Sequence, residues 1–345
     1  VQTCALPISF NARRIRAWLP GHDDPFAAHG AWRPVGDEGE ALREDFFQCH
    51  RGESVRIGED LMAPFFAAVA QTVRQVRSDW LVFAELNPSA TASGEHFPSA
   101  MPPRWVNASH WYDVQLLRTK RSPDGTRGEL AARYRPELRF LHDLGAKHTA
   151  PAPTLFGEFG IQFDLDDASA YRRWQGGEIG PQVWDRHVPP LAAVYDVLDE
   201  LLASGTIWNY TASNRNDARI GDRWNQEDLS VFSRDQATMR GDPDSGGRAL
   251  DGFVRAYVKA TQGKLKCMRY DDTGNALEFE IDADPGIPMP TVVYLPRRRF
   301  RAIQVVADAP VRWSFRAEKQ LAEIWCLHSG HVGLKILAHP IASPE

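Results

Sequence analysis

Cysteine is scarce in this chain. Cys4, Cys49, Cys267 and Cys326 are the whole complement, and no C-x-x-C or Cys/His spacing suited to zinc joins them. That excludes a small scaffold held together by disulfides and a structural zinc site. Cys267 and Cys326 share the C-terminal region and are expected to be two buried free thiols, with a disulfide between them as the alternative. The eleven histidines are scattered and form no H-E-x-x-H or comparable ligand set, so neither a metal nor another cofactor is expected. Basic residues are not in excess. The net charge of −5 argues against a nucleic-acid partner, which would favour a basic face. Runs of about 18 apolar residues, the length needed to cross a bilayer, are absent. Internal repeats and low-complexity tracts are absent as well.

What is present fits a globular protein of 345 residues, enough for two domains of ordinary size, with 43% hydrophobic and 25% charged residues. Eleven tryptophans are unusual. Sugar rings stack on aromatic faces, but Trp is also a large core residue, so only about two or three are assigned to substrate. Val1–Ser9 resembles the translation of a sequencing-adapter oligonucleotide, not a leader peptide, and is set aside together with Cys4. The reading frame is then expected to begin upstream, which leaves localisation, cytoplasmic or secreted, and oligomeric state open.

The texture along the chain is that of alternating strands and helices. Residues 10–55 are irregular. Asp60–Val76 carries a helical stripe of Met62, Phe65, Phe66, Val69, Val73 and Val76, with Pro64 in its first turn. Trp80–Leu86 and Arg104–His110 read as buried strands, Leu116–Gly128 as a polar loop, and Glu129–Leu144 as a helix with Leu130, Tyr134, Leu138 and Leu141 on one face. Asp164–Trp174 starts as an acidic loop and turns helical, Val188–Leu202 is a helix, and Thr206–Tyr210 is a strand. This alternation predicts an α/β fold of the βα-barrel type. Gly241–Arg248 is dense in turn residues and marks a boundary. From Lys264 on, short alternating runs (Leu277–Ile281, Thr291–Tyr294, Val311–Phe315, Ile324–Leu327 and Leu334–Leu337) predict an antiparallel β-sandwich. Arg297, Arg298, Arg299 and Arg301 cluster there. A solvated charge run is the plain reading, and peripheral contact with an anionic membrane the sharper one.

The chain is organised around Leu155-Phe156-Gly157-Glu158-Phe159-Gly160-Ile161. Pro151 and Pro153 stop whatever helix precedes it, so it reads as a short buried strand. A carboxylate in such a strand is costly unless paired or functional, and flanking glycines leave room for a close approach from one side. From these residues alone, a Glu satisfied by a local Arg and a functional Glu both stand.

Neighbouring motifs decide between them. Gly157-Glu158-Phe159-Gly160, Ala108-Ser109-His110-Trp111-Tyr112-Asp113, Ile207-Trp208-Asn209-Tyr210 and Trp224-Asn225-Gln226-Glu227-Asp228-Leu229-Ser230 stand in that family's order when read along the chain, and together they resemble glycoside hydrolase family 5, in its endoglycoceramidase-like branch. Gln226 replaces a family Gly. Gly247-Arg248-Ala249 and Arg255-Ala256-Tyr257 are similar to the segment that leads into that branch's C-terminal domain.

The resemblance implies strands 5–8 of a partial TIM (β/α)8 barrel over residues 10–258, then a β-sandwich over residues 264–345. It implies a retaining β-glycosidase with Glu158 as nucleophile and Tyr112 as hydrogen-bond donor to it. His110 would hold the sugar or orient Tyr112, Trp208 would floor the sugar subsite, and Trp224, Glu227 and Asp228 would bind substrate. The implied substrate is a glucoside with an apolar aglycone, a glycosylceramide or a steryl glucoside. A cellulase-type endoglucanase and a non-catalytic carbohydrate- or lipid-binding protein are the alternatives. Glu85-Leu86-Asn87-Pro88 looks like a scramble of the family's N-E-P acid motif, but it counts back to strand 5, so Glu85 is expected at the cleft rim and not as the general acid. With that acid and strands 1–4 missing, the chain alone is expected to be inactive and poorly folded outside the sandwich. The sequons at Asn107 and Asn209 fall in predicted strands and are read as chance.

Overall fold

The computed structural model describes residues 18–19, 21–36, 38–87, 90–222, 227–239 and 241–339. The adapter-like Val1–Ser9 and Trp224 lie outside the described residues. The N-terminal stretch is irregular as expected, with a one-turn helix α1 (Pro25–Ala28) and two antiparallel hairpins. These pair β1 (Trp32–Val35) with β2 (Glu38–Ala41) and β3 (Cys49–His50) with β4 (Glu53–Ser54).

Strand and helix then alternate. A π-helical turn, Ile57–Met62, leads into α2 (Ala63–Val76), with Pro64 in the first turn, where a missing N–H costs nothing. There follow β5 (Val82–Ala84), α3 (Ala90–Ser93), β6 (Trp105–Asn107), α4 (Val114–Thr119), α5 (Arg127–Ala146), β7 (Leu155–Phe159), α6 (Leu165–Gln175), α7 (Val188–Leu201) and β8 (Ser204–Ile207). Strands β5 and β6 pair in parallel, as do β7 and β8, and a parallel bridge from Asn107 to Thr154 joins the two pairs. The four strands therefore lie side by side in chain order, with Leu138, Leu141, Leu191, Val197 and Leu198 of α5 and α7 packed on Phe156 and Phe159.

Three details depart from the sequence reading. Leu116 does not open a loop but lies in α4, because Asp113 caps that helix by accepting from the Leu116 amide at 2.9 Å. Helix α5 starts earlier than expected, at a capping box in which Thr126 and Glu129 each accept the other's backbone N–H. Helix α6 keeps its loop-like start, with Asp166, Asp167 and Ala168 at positive φ.

The C-terminal part consists of two four-stranded antiparallel sheets. Its strands are β9 (Tyr257–Ala260), β10 (Gly263–Asp271), β11 (Ala276–Ala283), β12 (Thr291–Tyr294), β13 (Ile303–Ala307), β14 (Val311–Arg316), β15 (Leu321–Cys326) and β16 (Gly330–Ala338). One sheet runs β10-β11-β16-β13 and the other β14-β15-β12-β9. Leu277, Phe279, Ile281, Val293, Ile324 and Ile336 fill the space between them. Tyr257 and Val258, assigned to the barrel segment from sequence, already pair with β12. Strand β10 escaped notice because Lys264, Lys266 and Arg269 and a bulge at Leu265/Cys267 break its alternation. Cys267 is exposed and Cys326 buried, both as free thiols, so the expectation that both would be buried fails for Cys267.

Arginines join this part to the helices. Arg127 reaches Asp196 at 2.6 Å and Asp272 at 2.8 Å, and Arg255 pairs with the buried Asp199. Arg297 contacts Asp242 at 2.8 Å, while Arg298 and Arg299 contact Asp251 at 3.1 and 2.8 Å. The basic cluster is thus largely spent on carboxylates of this same chain. The plain reading of a solvated run therefore fails for Arg298 and Arg299, whose side chains are only 24% and 19% exposed.

A third core lies beyond β7, where Phe163, Tyr171, Val183 and Trp184 surround the buried His187. The His187 ring stacks on Phe163 at 5.0 Å. Burial, with the Arg248 guanidinium adding to it, pushes the His187 imidazolium pKa down to about 4 from its ordinary 6.5. The unfolded chain takes up this proton near 6.5 and the folded chain only near 4. The stabilising contribution is therefore complete above about pH 6.5 and is lost as pH falls towards 4, on the order of 3 kcal/mol. His187→Leu should flatten the decline of Tm between pH 7 and 4, and an unchanged slope would exclude His187 as the group responsible.

Candidate active site

Parallel pairing carries the ends of β5, β6 and β7 to one side of the sheet, and the backbone ladder continues past the strands themselves. The Ala108 amide donates to Ala84 O at 2.7 Å, Gly157 to Ser109 O at 3.2 Å, and Trp111 to Glu158 O at 2.9 Å. Glu85, His110, Tyr112 and Glu158 are brought together as a result. The two glycines beside Glu158 make this approach possible. A Cβ on Gly157 would sit 2.5 Å from Ala108 O and 3.0 Å from the His110 ring, and one on Gly160 would collide with the Trp208 carbonyl. The room they leave is taken by the neighbouring strands, not by a ligand.

Tyr112 Oη donates to Glu158 Oε1. His110 Nδ1 lies 3.0 Å from Glu85 Oε1 and 3.6 Å from Glu158 Oε2. Burial, followed by the hydrogen bond and charge of Glu158 and then the charges of Glu227 and Asp222, raises the Tyr112 phenol far above its ordinary value and keeps it a donor. For His110, burial opposes the charged form, but the hydrogen bond and charge of Glu85 and the charge of Glu158 outweigh it and raise the imidazolium pKa. The Glu227 carboxyl is raised too, chiefly by burial, with Lys120 opposing and Asp164 and Asp222 adding. Lys120 Nζ is itself 2.6 Å from Asp164 Oδ2. The half-buried Trp208 is fixed at the end of β7 by its backbone N–H, which donates to Phe159 O at 2.8 Å, and its peptide bond to Asn209 is cis.

Asp228 does not belong with these residues. It is 1% exposed, and its oxygens accept from Arg248 at 2.7 Å, Asn214 at 3.0 Å, the Ser230 amide at 3.1 Å and the Tyr171 hydroxyl. Every acceptor position is used inside the protein, so the expectation that Asp228 binds substrate is corrected. Its partner Arg248 is fully buried, 4.8–5.5 Å from the ring centres of Phe163, Tyr171 and Trp184. Sequence reasoning missed Arg248, Asn214 and Lys120. Only Arg248 carried a signal, as the Arg of Gly247-Arg248-Ala249, and it was read as a boundary. Glu85, expected at the rim, contacts His110 directly. Asn107 donates to Leu141 O at 2.7 Å from full burial and Asn209 to Asp222 at 2.6 Å, so both sequon amides are occupied.

Residues 255–336 match the glycoside hydrolase family 5 C-terminal domain. The chain is 26% identical over 345 residues to a glucosylceramidase of Cryptococcus neoformans var. grubii, a match covering 85% of this chain and 44% of that protein. A glucosylceramidase of Aspergillus fumigatus is 29% identical over 273 residues, covering 65% and 34%. An ergosteryl-beta-glucosidase of Saccharomyces cerevisiae is 21% identical over 249 residues, covering 56% and 31%. The chain thus spans less than half the length of these curated relatives. Among solved structures, Cryptococcus neoformans sterylglucosidase 1 superposes with a TM-score of 0.76 at 22% identity, over 92% of this chain and 50% of that one. Endo-glycoceramidase II from Rhodococcus sp. gives 0.55 at 17% identity, over 81% and 54%. The C-terminal part is thus that of a glycoside hydrolase family 5 C-terminal domain, and the chain as a whole is similar to glucosylceramidases and, in fold, to a sterylglucosidase and an endo-glycoceramidase.

Proposed function

We propose that this chain carries the nucleophile-bearing half of a retaining β-glucosidase for glucosides with an apolar aglycone, a glucosylceramide or a steryl glucoside. The observation that carries the reading is the Tyr112 hydroxyl donating to Glu158 on the strand-end face of a parallel sheet. Glu158 attacks the anomeric carbon, and the leaving oxygen departs with a proton from a general acid. Water then releases the sugar from the Glu158 ester. Tyr112 holds the carboxylate in line by hydrogen bonding to its ionised form. His110 positions the same group from its other oxygen, Trp208 supplies the apolar floor of the sugar subsite, and Glu227 hydrogen-bonds sugar hydroxyls. The aglycone class rests on what the relatives are named for.

In this reading β5–β8 are strands 5–8 of a (β/α)8 barrel, within a barrel segment followed by the sandwich. The other four strands and the acid come from the part of the relatives that this chain does not span. Exposure of Phe83 at 56% on β5, and of Ser204, Gly205 and Thr206 on β8, supports further strands along both edges.

Three outcomes test this. Glu158→Gln in the enzyme completed by its upstream half should lower kcat by at least about a thousandfold, about 4 kcal/mol of transition-state stabilisation. A loss of less than about tenfold would remove Glu158 from the role. Tyr112→Phe should lower kcat by about 10- to 100-fold with KM nearly unchanged, the range for a hydrogen bond to a charged group. Assays of glucosylceramide and steryl glucoside hydrolysis should find the 345-residue chain inactive alone and active when co-expressed with the upstream half. Turnover by the chain alone would show that the acid lies within it.

A further inference from the structure

His110 is the one residue of the cluster placed between two carboxylates. Glu85 faces it from the end of β5 and Glu158 from β7, both on the Nδ1 side of the ring. Gly157 packs against the opposite edge, where a Cβ would lie 3.0 Å from Cδ2 and 3.1 Å from Nε2. On its own segment the neighbouring titratable group is Tyr112, which is spent on the other oxygen of Glu158. One edge of the ring therefore lies against the β7 backbone at Gly157, and its Nδ1 side faces the two acids.

A neutral imidazole here would leave two carboxylates confronting each other across a single N–H, and like charges at this range disfavour joint ionisation. A cation between them removes the conflict. The N–H points at the nearer acceptor, Glu85 at 3.0 Å, with Glu158 at 3.6 Å in Coulombic range of the same charge. We propose that Glu85 is a positioning residue that holds His110 as an imidazolium against Glu158. The proposal rests on the role given to Glu158 only for its catalytic consequence, since the Glu85–His110 pair exists whatever Glu158 does. Glu85 then acts through His110 and touches neither sugar nor leaving group. The charge it maintains is present below the His110 midpoint and is lost as pH rises through it.

The test is a pH titration of the enzyme labelled with 15N-histidine and followed by NMR. In the wild type, His110 should show both ring nitrogens protonated at neutral pH. In Glu85→Gln, which keeps the shape and an acceptor oxygen, the His110 midpoint should fall with about a tenfold loss of proton affinity. Glu85→Asp, which keeps the charge, should recover part of it. The alkaline limb of kcat/KM should move down with the His110 midpoint. An unmoved midpoint in Glu85→Gln, with His142 and His148 at their wild-type positions, would overturn the proposal. So would a Glu85→Gln enzyme that hydrolyses a nitrophenyl glucoside normally but not a steryl glucoside, because that pattern marks a proton donor. The titration needs no substrate, so a Glu158→Gln variant that retained activity would end the nucleophile assignment without touching the His110 result.

Discussion

A carboxylate carried on a buried parallel strand must be given donors, and most of the site follows from that demand. Glu158 receives Tyr112 on one oxygen and lies close to His110 on the other. Neither partner is local in sequence. Both come from the end of β6, and they meet Glu158 only because β6 and β7 are neighbours in a parallel sheet whose strand ends share a face. The energetic reason is simple: desolvating an ionised group without compensating hydrogen bonds costs far more than any surface contact can return. Strand order and chemistry are thus one problem here, and the helices α5 and α7 matter to the site chiefly because they keep β6, β7 and β8 in register.

The same rule operates one shell further out. Asp228 and Arg248 are both removed from water, and each is surrounded by partners, with the guanidinium walled by Phe163, Tyr171 and Trp184. A buried pair of this kind is costly to break, because removing one member strands the other charge. It sits next in sequence to Glu227, whose charge is felt at Tyr112. The position of Glu227 is therefore constrained by a neighbour in sequence that is itself fully buried. Farther along, Arg127, Arg255 and Arg299 tie the sandwich to the helical layer. Their pairs differ in worth. The exposed pairs on Asp251 add little singly, while Arg255 offsets the burial that raises the Asp199 carboxyl.

Much of this was legible in the sequence, and what was not has physical causes. Period-2 and period-3.6 patterns found the helix after Asp60, the helix before Leu202 and most sandwich strands, because in each an apolar face meets a core. Strand β10 was missed since its outward side is basic and a bulge interrupts it. Helix α4 was missed because its six residues are held by a cap and a single buried Leu, too short for a periodic signal. Motif spacing singled out Glu158, Tyr112, His110 and Trp208, which the structure sets at the ends of neighbouring strands. It misjudged Asp228, because a motif letter does not say which way a side chain turns, and burial alone decided that. The contact of Glu85 with His110 was not legible for a related reason: its partner lies on the next strand, and no local pattern announces a pairing across strands.

The glycines at 157 and 160 set a condition on how this site can change over generations. Each is matched to backbone of an adjacent strand, Gly157 to the carbonyl of Ala108 and Gly160 to that of Trp208. A side chain at either place would have to be answered by a shift of the neighbouring strand, and that strand carries its own member of the cluster. Replacement at one position cannot then be tolerated alone. It requires a simultaneous shift of the backbone that follows β6 or β8, so the two strand ends and the residues they carry are coupled.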